Sequence, residues 1–350
     1  HQFIKMGASS SSYDAPAEVQ SVYFDEVKKS LPSMSGKTVA ITGCTTGTGF
    51  TLAKTCLELG ATVLMLNRPS SRADAALSTL NALGAPGKAI AVPVDLMSFD
   101  SLRAAGKKLR ADFSANGIDV LCNNAGVMAV KDEATVDGCD VQMQTNHLSH
   151  FLLTAEVWPL LERAAEKNGE ARVVNHSSDA RKQGSFVEEK YLGRNGGNLG
   201  GDEPSYLKSF LPFTGPRWAR YQQTKLANVV FTYALHDKLV AAGKGDKIKS
   251  LVAHPGLSST HLQVKSASDG GMGIRLTNVL MSKLAQSAED GTLGILVCCC
   301  KPNVKSKEFY GPKWLTGPAV ILPEENLAPP ESRKLLWEKS VEVTGAKFPF

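Results

Sequence analysis

The sequence carries a phenol and an ammonium group at a spacing that suits proton transfer. Tyr221 and Lys225 are four residues apart, and residues at this spacing share one face of a helix. A lone phenol titrates at about pH 10 and is a poor acid or base at neutral pH. Because a nearby positive charge favours the phenolate, we expect Lys225 to lower the pKa of Tyr221. The pair is a candidate for acid–base chemistry, although the same spacing also occurs on ordinary helix surfaces.

The residues after this pair have the pattern of an amphipathic helix. Apolar side chains recur at helical spacing, at Leu226, Val229, Val230, Tyr233 and Ala234. This period predicts a helix over about residues 220–242. The helix would hold both candidate groups near its beginning.

Short apolar runs and helical patterns alternate along the rest of the chain. Strands are predicted at about residues 38–42, 62–66, 89–94, 120–122, 172–175, 248–253 and 309–311. Helices are predicted at about 47–59, 72–83, 99–113, 139–167, 287–300 and 331–343. This alternation predicts an α/β fold, a doubly wound (Rossmann-like) parallel sheet with helices on both faces. We expect one domain over residues 36–350, preceded by an arm or leader at 1–35.

The N-terminal segment allows three interpretations. Residues 6–11 fit the spacing of an N-myristoylation signal on Gly7 if Met6 is the initiator. A plain Ser-rich leader is favoured over this short signal, and a processed organelle-targeting remnant is the third interpretation.

Composition excludes several classes of function. The chain has 350 residues, 43% of them hydrophobic, and its formal net charge of +5 is spread without a basic run. Nucleic acid is therefore not an expected partner. The seven cysteines lack metal-ligand or disulfide spacing, and His147, His150 and His176 lack suitable partners, so we expect no metal. The cysteines indicate an intracellular reducing compartment, cytoplasmic or organellar. No stretch reaches the roughly 20 apolar residues of a membrane-spanning helix, which leaves peripheral membrane contact open.

A glycine-rich turn follows the first predicted strand. Gly43, Gly47 and Gly49 precede a helical pattern. Glycines suit a sharp turn and a pyrophosphate approaching main-chain N–H groups at a helix N-terminus. The turn predicts a dinucleotide site, with an ordinary strand-to-helix turn as the alternative.

Arg68 follows the second strand, where an NAD site usually has an acid. A carboxylate there would bind the ribose 2′-hydroxyl, whereas a guanidinium pairs with a 2′-phosphate. The sequence therefore favours NADP(H) over NAD(H), with Arg72 as a second contact.

Together these motifs resemble the short-chain dehydrogenase/reductase family, over about residues 36–345. Its fingerprint consists of T-G-x-x-x-G-x-G, N-N-A-G, an Asn in a central helix, a Ser after the fifth strand and Y-x-x-x-K. These stand here at residues 42–49, 123–126, Asn146, Ser178, and Tyr221 with Lys225. Segments 145–148, 221–228 and 254–256 resemble the retinol dehydrogenase-like branch. Segment 336–340 is also similar to light-dependent protochlorophyllide reductases.

The resemblance implies catalytic roles for four residues. Ser178, rather than Ser177, would donate a hydrogen bond to the substrate oxygen, and Tyr221 would give or take its proton. Lys225 would acidify that phenol and bind the nicotinamide ribose. Asn146 would position a water linking Lys225 to solvent.

The resemblance also implies a set of cofactor contacts. Asp95 would contact the adenine, and Thr260 would hold the nicotinamide end together with the residues after the sixth strand. The expected cofactor-binding residues are Gly43, Thr45, Gly47, Thr48, Gly49, Arg68, Asp95, Leu96, Asn123, Ala125, Gly126, Tyr221, Lys225, Pro255, Gly256 and Thr260.

The chain departs from the family between Ser178 and Tyr221, which are 43 positions apart instead of the usual dozen or two. The insertion, about residues 182–220, is rich in aromatic side chains. We expect it to form a lid or wall that favours a bulky apolar substrate, with a surface excursion or an oligomer contact as the alternative. Residues 262–285 are expected to form a mobile flap or a packed helix.

These expectations converge on an NADP(H)-dependent oxidoreductase that interconverts a carbonyl and an alcohol on a lipophilic small molecule. Retinoids, steroids, isoprenoids and other lipids are the expected substrate classes. Reduction of a tetrapyrrole C=C bond and an NADP(H)-binding sensor or scaffold are the alternatives. The sequence is also compatible with a homo-oligomer.

Overall fold

The computed structural model describes residues 19–184, 186–200, 213–258 and 284–350. In this part of the chain the predicted α/β class is confirmed by an eight-stranded sheet of order β3-β2-β1-β4-β5-β6-β7-β8. Its strands are β1 Thr38–Thr42, β2 Thr62–Asn67, β3 Lys88–Pro93, β4 Val120–Asn123, β5 Ala171–His176, β6 Ile248–Ala253, β7 Phe309–Pro312 and β8 Ala319–Ile321. Neighbouring strands pair in parallel except β8, which is antiparallel to β7 and was not predicted.

Helices cover both faces of the sheet. They are α1 Phe24–Lys29, α2 Gly47–Glu58, α3 Ser71–Asn81, α4 Phe99–Asp112, α5 Val141–Met143, α6 Ser149–Glu156, α7 Trp158–Asn168, α8 Pro216–Ala241, α9 Ala288–Cys300 and α10 Pro330–Thr344. One buried apolar cluster joins the sheet to α4, α6, α7, α8 and α10, and a second joins it to α1, α2, α3 and α9. Because both faces are covered, β1 is buried along its whole length.

The strand order reverses next to β1, which pairs with β2 on one side and β4 on the other. The connections that follow β1 and β4 leave the carboxyl ends of these strands in opposite directions, which opens a crevice between β1 and β4. The glycine turn after β1 and the segment after β4 meet at this edge. The end of β5 and the start of α8 complete the edge on the other side.

The single helix predicted over residues 139–167 is wrong in its continuity. It is divided into α5, a π-helical turn at Gln144–Leu148, α6 and α7. Pro159 lies in the first turn of α7, where a backbone N–H has no partner within the helix and its loss costs little. Asn146 lies in the π turn, a feature that often marks functional sites.

The N-terminal arm is anchored on the domain through one carboxylate. Asp290 accepts hydrogen bonds from the Ser21 hydroxyl and from the backbone N–H groups of Val22, Tyr23 and Phe24, at 2.8–3.0 Å. Within residues 19–35, the described part of the arm, the helix is α1. All seven cysteines are free and buried, as expected of small apolar side chains.

Candidate active site

Tyr221 and Lys225 lie on the first turns of α8, and each is only 4% exposed. The Lys225 Nζ is 5.7 Å from the centre of the Tyr221 ring. It donates a hydrogen bond to the His176 carbonyl at the end of β5, at 3.2 Å. The helix therefore brings the phenol and the ammonium together, as the spacing predicted.

The predicted lowering of the Tyr221 pKa is wrong for the protein without ligand. Burial raises the pKa of Tyr221 to about 12, because a buried phenolate loses its hydration, and a hydrogen bond with Ser178 offsets only part of this. Burial also lowers the pKa of Lys225 to about 8. Desolvation is the main cause of both shifts. The phenol is therefore protonated at neutral pH.

The structure distinguishes the two adjacent serines. Ser178 lines the cleft together with Tyr221, and its hydroxyl lowers the pKa of the phenol in part. Ser177 also lies at the cleft but is 2% exposed, and its hydroxyl donates to the Lys225 carbonyl at 2.7 Å. Only Ser178 has its hydroxyl at the acid–base group, which supports its expected role.

Asn146 links the segment after β4 to α8 through hydrogen bonds. It is fully buried, and its Oδ1 accepts from the Val127 N–H at 2.7 Å. Its Nδ2 donates to Thr224 Oγ1 at 2.9 Å, and that hydroxyl donates to the Tyr221 carbonyl at 2.7 Å. A Cβ at Gly126 would lie 3.1 Å from Asn146 Oδ1 and 3.5 Å from the Lys225 Nζ. Asn146 and Lys225 thus approach each other across Gly126, and the water expected between them stays a prediction.

A cleft of about 610 Å³ runs along the carboxyl edge of the sheet, from Arg68 and Arg72 to Tyr221 and Trp218. The predicted residues that line it are Gly43, Thr45, Gly47, Thr48, Arg68, Ala125, Gly126, Ser178, Tyr221, Lys225, Pro255 and Gly256. Thr260 lies outside the described residues, as do the proposed myristoylation signal and most of the expected flap.

Four residues expected to bind the cofactor do not line this cleft: Gly49, Asp95, Leu96 and Asn123. Asn123 is 1% exposed, and its amide donates to Asn175 at 2.9 Å inside the sheet. The Asp95 carboxylate accepts from the Met97 N–H at 2.9 Å. Leu96 is largely buried.

The residue after Asn123 lines the cleft instead. Asn124 Nδ2 donates to the carbonyls of Thr42 and Gly43, at 2.9 and 3.1 Å. Its Oδ1 accepts from the Thr48 hydroxyl at 3.1 Å. Asn124 therefore ties the end of β4 to the glycine turn.

The glycine turn has the conformation that its residue types suggest. Gly43 and Gly47 have φ values of +69° and +59°, which strain other residues. A Cβ at Gly49 would lie 2.3 Å from the Gly43 carbonyl oxygen, so Gly49 is required for packing. Thr46, the N-cap of α2, makes no side-chain capping hydrogen bond. The N–H groups of the first turn can therefore bind an anion.

The insertion contributes aromatic side chains to the other end of the cleft. Phe213 and Trp218 line it, and the Trp218 ring meets the Tyr221 ring edge to face at 5.8 Å. Tyr191 and Leu192 are buried in the main core, so residues 186–200 pack on the domain. Ser185 and residues 201–212 lie outside the described part.

Several lining residues were missed by the sequence analysis, among them Met128, Gln183, Leu257 and Leu315. The N-N-A-G motif indicated the segment that contains Met128, but no pattern distinguished its side chain.

Within the described ranges, no three His, Cys, Asp or Glu side chains are grouped to hold a metal ion. In the same ranges, no helix combines the length and apolarity needed to cross a membrane.

Comparison with known proteins defines the class. A model of the short chain dehydrogenase family matches residues 37–193. The chain is 35% identical to retinol dehydrogenase 14 of Mus musculus over 290 residues, 79% of this chain and 78% of that protein. The chain therefore belongs to the short-chain dehydrogenase/reductase family and is an oxidoreductase. More particularly, it falls in the retinol dehydrogenase-like branch of that family.

Other relatives agree with this assignment. Polyprenol dehydrogenase of Mus musculus is 28% identical over 319 residues, 90% of this chain and 86% of that protein. An uncharacterised protein from Mycobacterium paratuberculosis has a crystal structure with a TM-score of 0.69 and 29% identity, covering 92% of this chain and 98% of that one. NADPH-bound carbonyl reductase from chicken fatty liver shares the fold, with a TM-score of 0.55 and 20% identity over 80% of this chain and 96% of that one.

Proposed function

We propose that the protein is an NADP(H)-dependent oxidoreductase that interconverts a carbonyl and an alcohol on a lipophilic small molecule. The observation that carries this proposal is that the Ser178 hydroxyl and a protonated Tyr221 line the same end of the cleft, where Ser178 lowers the pKa of the phenol in part. Two hydroxyl groups side by side can both contact one substrate oxygen. Such a pair suits a reaction in which charge develops on that oxygen.

The cofactor proposal is supported by the charge at the other end of the cleft. Arg68 and Arg72 line that end, and both are exposed. Asn67 is the residue before them, and its Oδ1 accepts from the Cys44 N–H at 3.0 Å within the glycine turn. No carboxylate lines the described part of this cleft except Asp179, which lies beside Ser178. Positive charge here fits a 2′-phosphate.

When bound, NADP(H) supplies or accepts the hydride. The chain supplies the proton and its control. Because Tyr221 is protonated at neutral pH, its hydroxyl can donate to a carbonyl oxygen in the reducing direction. Lys225, with a pKa of about 8, is mostly charged at that pH and favours the phenolate that remains after transfer. Asn146 supports this pair through Thr224, whose hydroxyl donates to the Tyr221 carbonyl.

The substrate proposal is supported by the side chains at the reacting end. Met128 and Trp218 pack against Tyr221, Phe213 packs on Trp218, and Leu315 adds a further apolar side chain to the cleft. Apolar walls with few polar groups are typical of sites for apolar ligands. Retinol dehydrogenase 14 and polyprenol dehydrogenase carry names of lipophilic alcohols. We infer that this protein accepts a substrate of that class.

Consumption of NADPH by the wild type tests this function. The panel contains retinal, a steroid ketone, a prenyl aldehyde, a medium-chain aldehyde and protochlorophyllide, with Tyr221→Phe as the control. We expect turnover of at least one bulky carbonyl, lost in the variant while NADPH still binds. Turnover of protochlorophyllide alone would contradict the carbonyl reaction. Tight NADPH binding without any turnover would favour a sensing role.

A further inference from the structure

A buried cation lies immediately before the catalytic tyrosine and has no part in the proton chemistry. Arg220 is fully buried. Its Nε lies 3.1 Å from Asp140 Oδ2, and its Nη1 lies 3.8 Å from Asp132 Oδ1. A buried charge is costly unless it is paired, so these contacts restrict where the guanidinium can lie.

The guanidinium also binds two backbone carbonyls. Nη2 donates to the Val130 carbonyl at 3.1 Å, and Nη1 donates to the Gly200 carbonyl of the insertion. The Gly200 and Leu199 N–H groups donate to Asp132 in turn. One side chain of α8 thus joins the segment after β4 and the insertion to the catalytic helix.

The segment held at Val130 has a strained backbone. Ala129 has a φ of +48°, in the left-handed region that alanine rarely adopts. Its N–H donates to Gln142 Oε1 at 2.8 Å, and Gln142 Nε2 donates to the Arg217 carbonyl at 3.0 Å. The turn is therefore fastened on both sides of Ala129, by Gln142 before it and by Arg220 after it.

This turn carries residues that form the site. Met128 lines the cleft and packs with Ala129, Trp218 and Tyr221 in one buried cluster. Val127 is hydrogen-bonded to Asn146 through both its N–H and its carbonyl. A shift of the turn would therefore move the apolar wall relative to Tyr221.

Asp140 completes the arrangement from the opposite side. Its Oδ1 accepts from the N–H groups of Gln142 and Met143, at 3.0 and 2.8 Å, and caps α5. Burial raises the pKa of Asp140 to about 6, while the Met143 N–H and Arg220 hold it down. The carboxylate is therefore mostly ionised at neutral pH, as the pairing with Arg220 requires.

We propose that Arg220 is a positioning residue for substrate recognition, which pins the strained turn at Met128–Val130 so that Met128 forms the substrate wall beside Tyr221. The kinetic consequence rests on the proposed function. The pinned turn itself can be tested without any substrate.

The test compares three variants with the wild type. Arg220→Lys keeps the charge but lacks the forked donors, and Arg220→Met with Asp140→Asn removes the guanidinium together with the carboxylate nearest to it. The third variant adds Ala129→Gly to Arg220→Lys, because glycine adopts the left-handed conformation without strain. Hydrogen exchange at residues 128–130, the NADPH Kd, and KM and kcat for a bulky and a small carbonyl substrate are measured.

We expect faster exchange at the turn in both Arg220 variants, with the NADPH Kd unchanged. KM for the bulky substrate should rise about 10-fold, the size of one lost hydrogen bond to a charged group, while kcat/KM for the small substrate stays within about 2-fold. Ala129→Gly should restore part of the bulky-substrate KM, which a loss of general stability would not allow. Unchanged exchange, or equal losses for both substrates, would overturn the proposal. Absence of NADPH-dependent turnover in the wild type would instead contradict the proposed function. Hydrogen exchange alone would then show whether Arg220 holds the turn at residues 128–130.

Discussion

The two ends of the cleft recognise their ligands with different parts of the chain. At one end, a glycine turn presents backbone N–H groups, and the guanidinium groups of Arg68 and Arg72 are exposed. At the other end, Tyr221 and Lys225 are buried side chains, and Lys225 donates a hydrogen bond to the carbonyl of His176 in β5. The first end can select a charge, and the second can control a proton.

This difference follows from what each task requires. A guanidinium keeps its charge in water and binds a phosphate without being buried. The proton affinities of a phenol and an ammonium shift strongly where water is excluded, as the pKa values of about 12 and about 8 show here. Binding of the phosphate can therefore be altered without altering the chemistry, and the reverse also holds.

The largest difference between cofactor binding and catalysis should come from Arg68→Glu. Replacing the guanidinium by a carboxylate removes an attractive charge and adds a repulsive one, so the NADPH Kd should rise about 100-fold at low salt. The NADH Kd should change little, because NADH lacks the 2′-phosphate. Fluorescence titration with both cofactors measures this, with Arg72→Glu as the matched control and a smaller expected effect. Equal changes for both cofactors would contradict the assignment of Arg68 to the phosphate.

At the buried end, the free energy of unfolding of the wild type and of Lys225→Met can be compared as a function of pH. Between about pH 8 and the unfolded value of about 10.4, the unfolded chain holds the Lys225 proton and the folded chain does not. The free energy of unfolding of the wild type should therefore rise relative to the variant, by about 1.4 kcal/mol per pH unit. Urea unfolding at pH 8, 9 and 10 measures the difference. Parallel stabilities would mean that Lys225 keeps its ordinary pKa.

A smaller effect is expected from Trp218→Ala, which removes part of the apolar wall. KM for a bulky apolar substrate should rise about 10-fold, since the lost aromatic contact contributes about 1 kcal/mol or somewhat more. Trp218→Phe keeps an aromatic ring and should lie near the wild type. Steady-state kinetics with a bulky and a small aldehyde test the prediction, and a change that is the same for both substrates would refute the wall.

Local patterns explain why much of this molecule could be predicted from its sequence. The glycine turn, the strands of the central sheet and the Tyr221–Lys225 spacing each depend on residues close together in the chain. The predicted ends of β1 and β6 coincide with those in the structure. Arg68 and Ser178 also line the cleft as expected.

The features that could not be predicted depend on distant contacts. Asn123 and Asn124 are alike in sequence, and only the sheet determines that the second faces the cleft. The pKa of Tyr221 is set by burial, which no local pattern reveals. The Arg220 hydrogen bond to Val130 joins residues 90 positions apart. The π turn around Asn146 also lacked a sequence signal, because its residues continue a helical pattern.

The claim that cofactor binding and proton transfer depend on different ends of the cleft is tested most directly by measuring NADPH binding and turnover in Tyr221→Phe and Arg68→Glu side by side. Tyr221→Phe should bind NADPH as the wild type does and lose about 1000-fold in kcat, the size of a general-acid contribution. Arg68→Glu should bind NADPH weakly and keep its kcat once the cofactor is saturating. Substantial turnover by Tyr221→Phe, or a kcat for saturated Arg68→Glu that falls as far, would contradict the account.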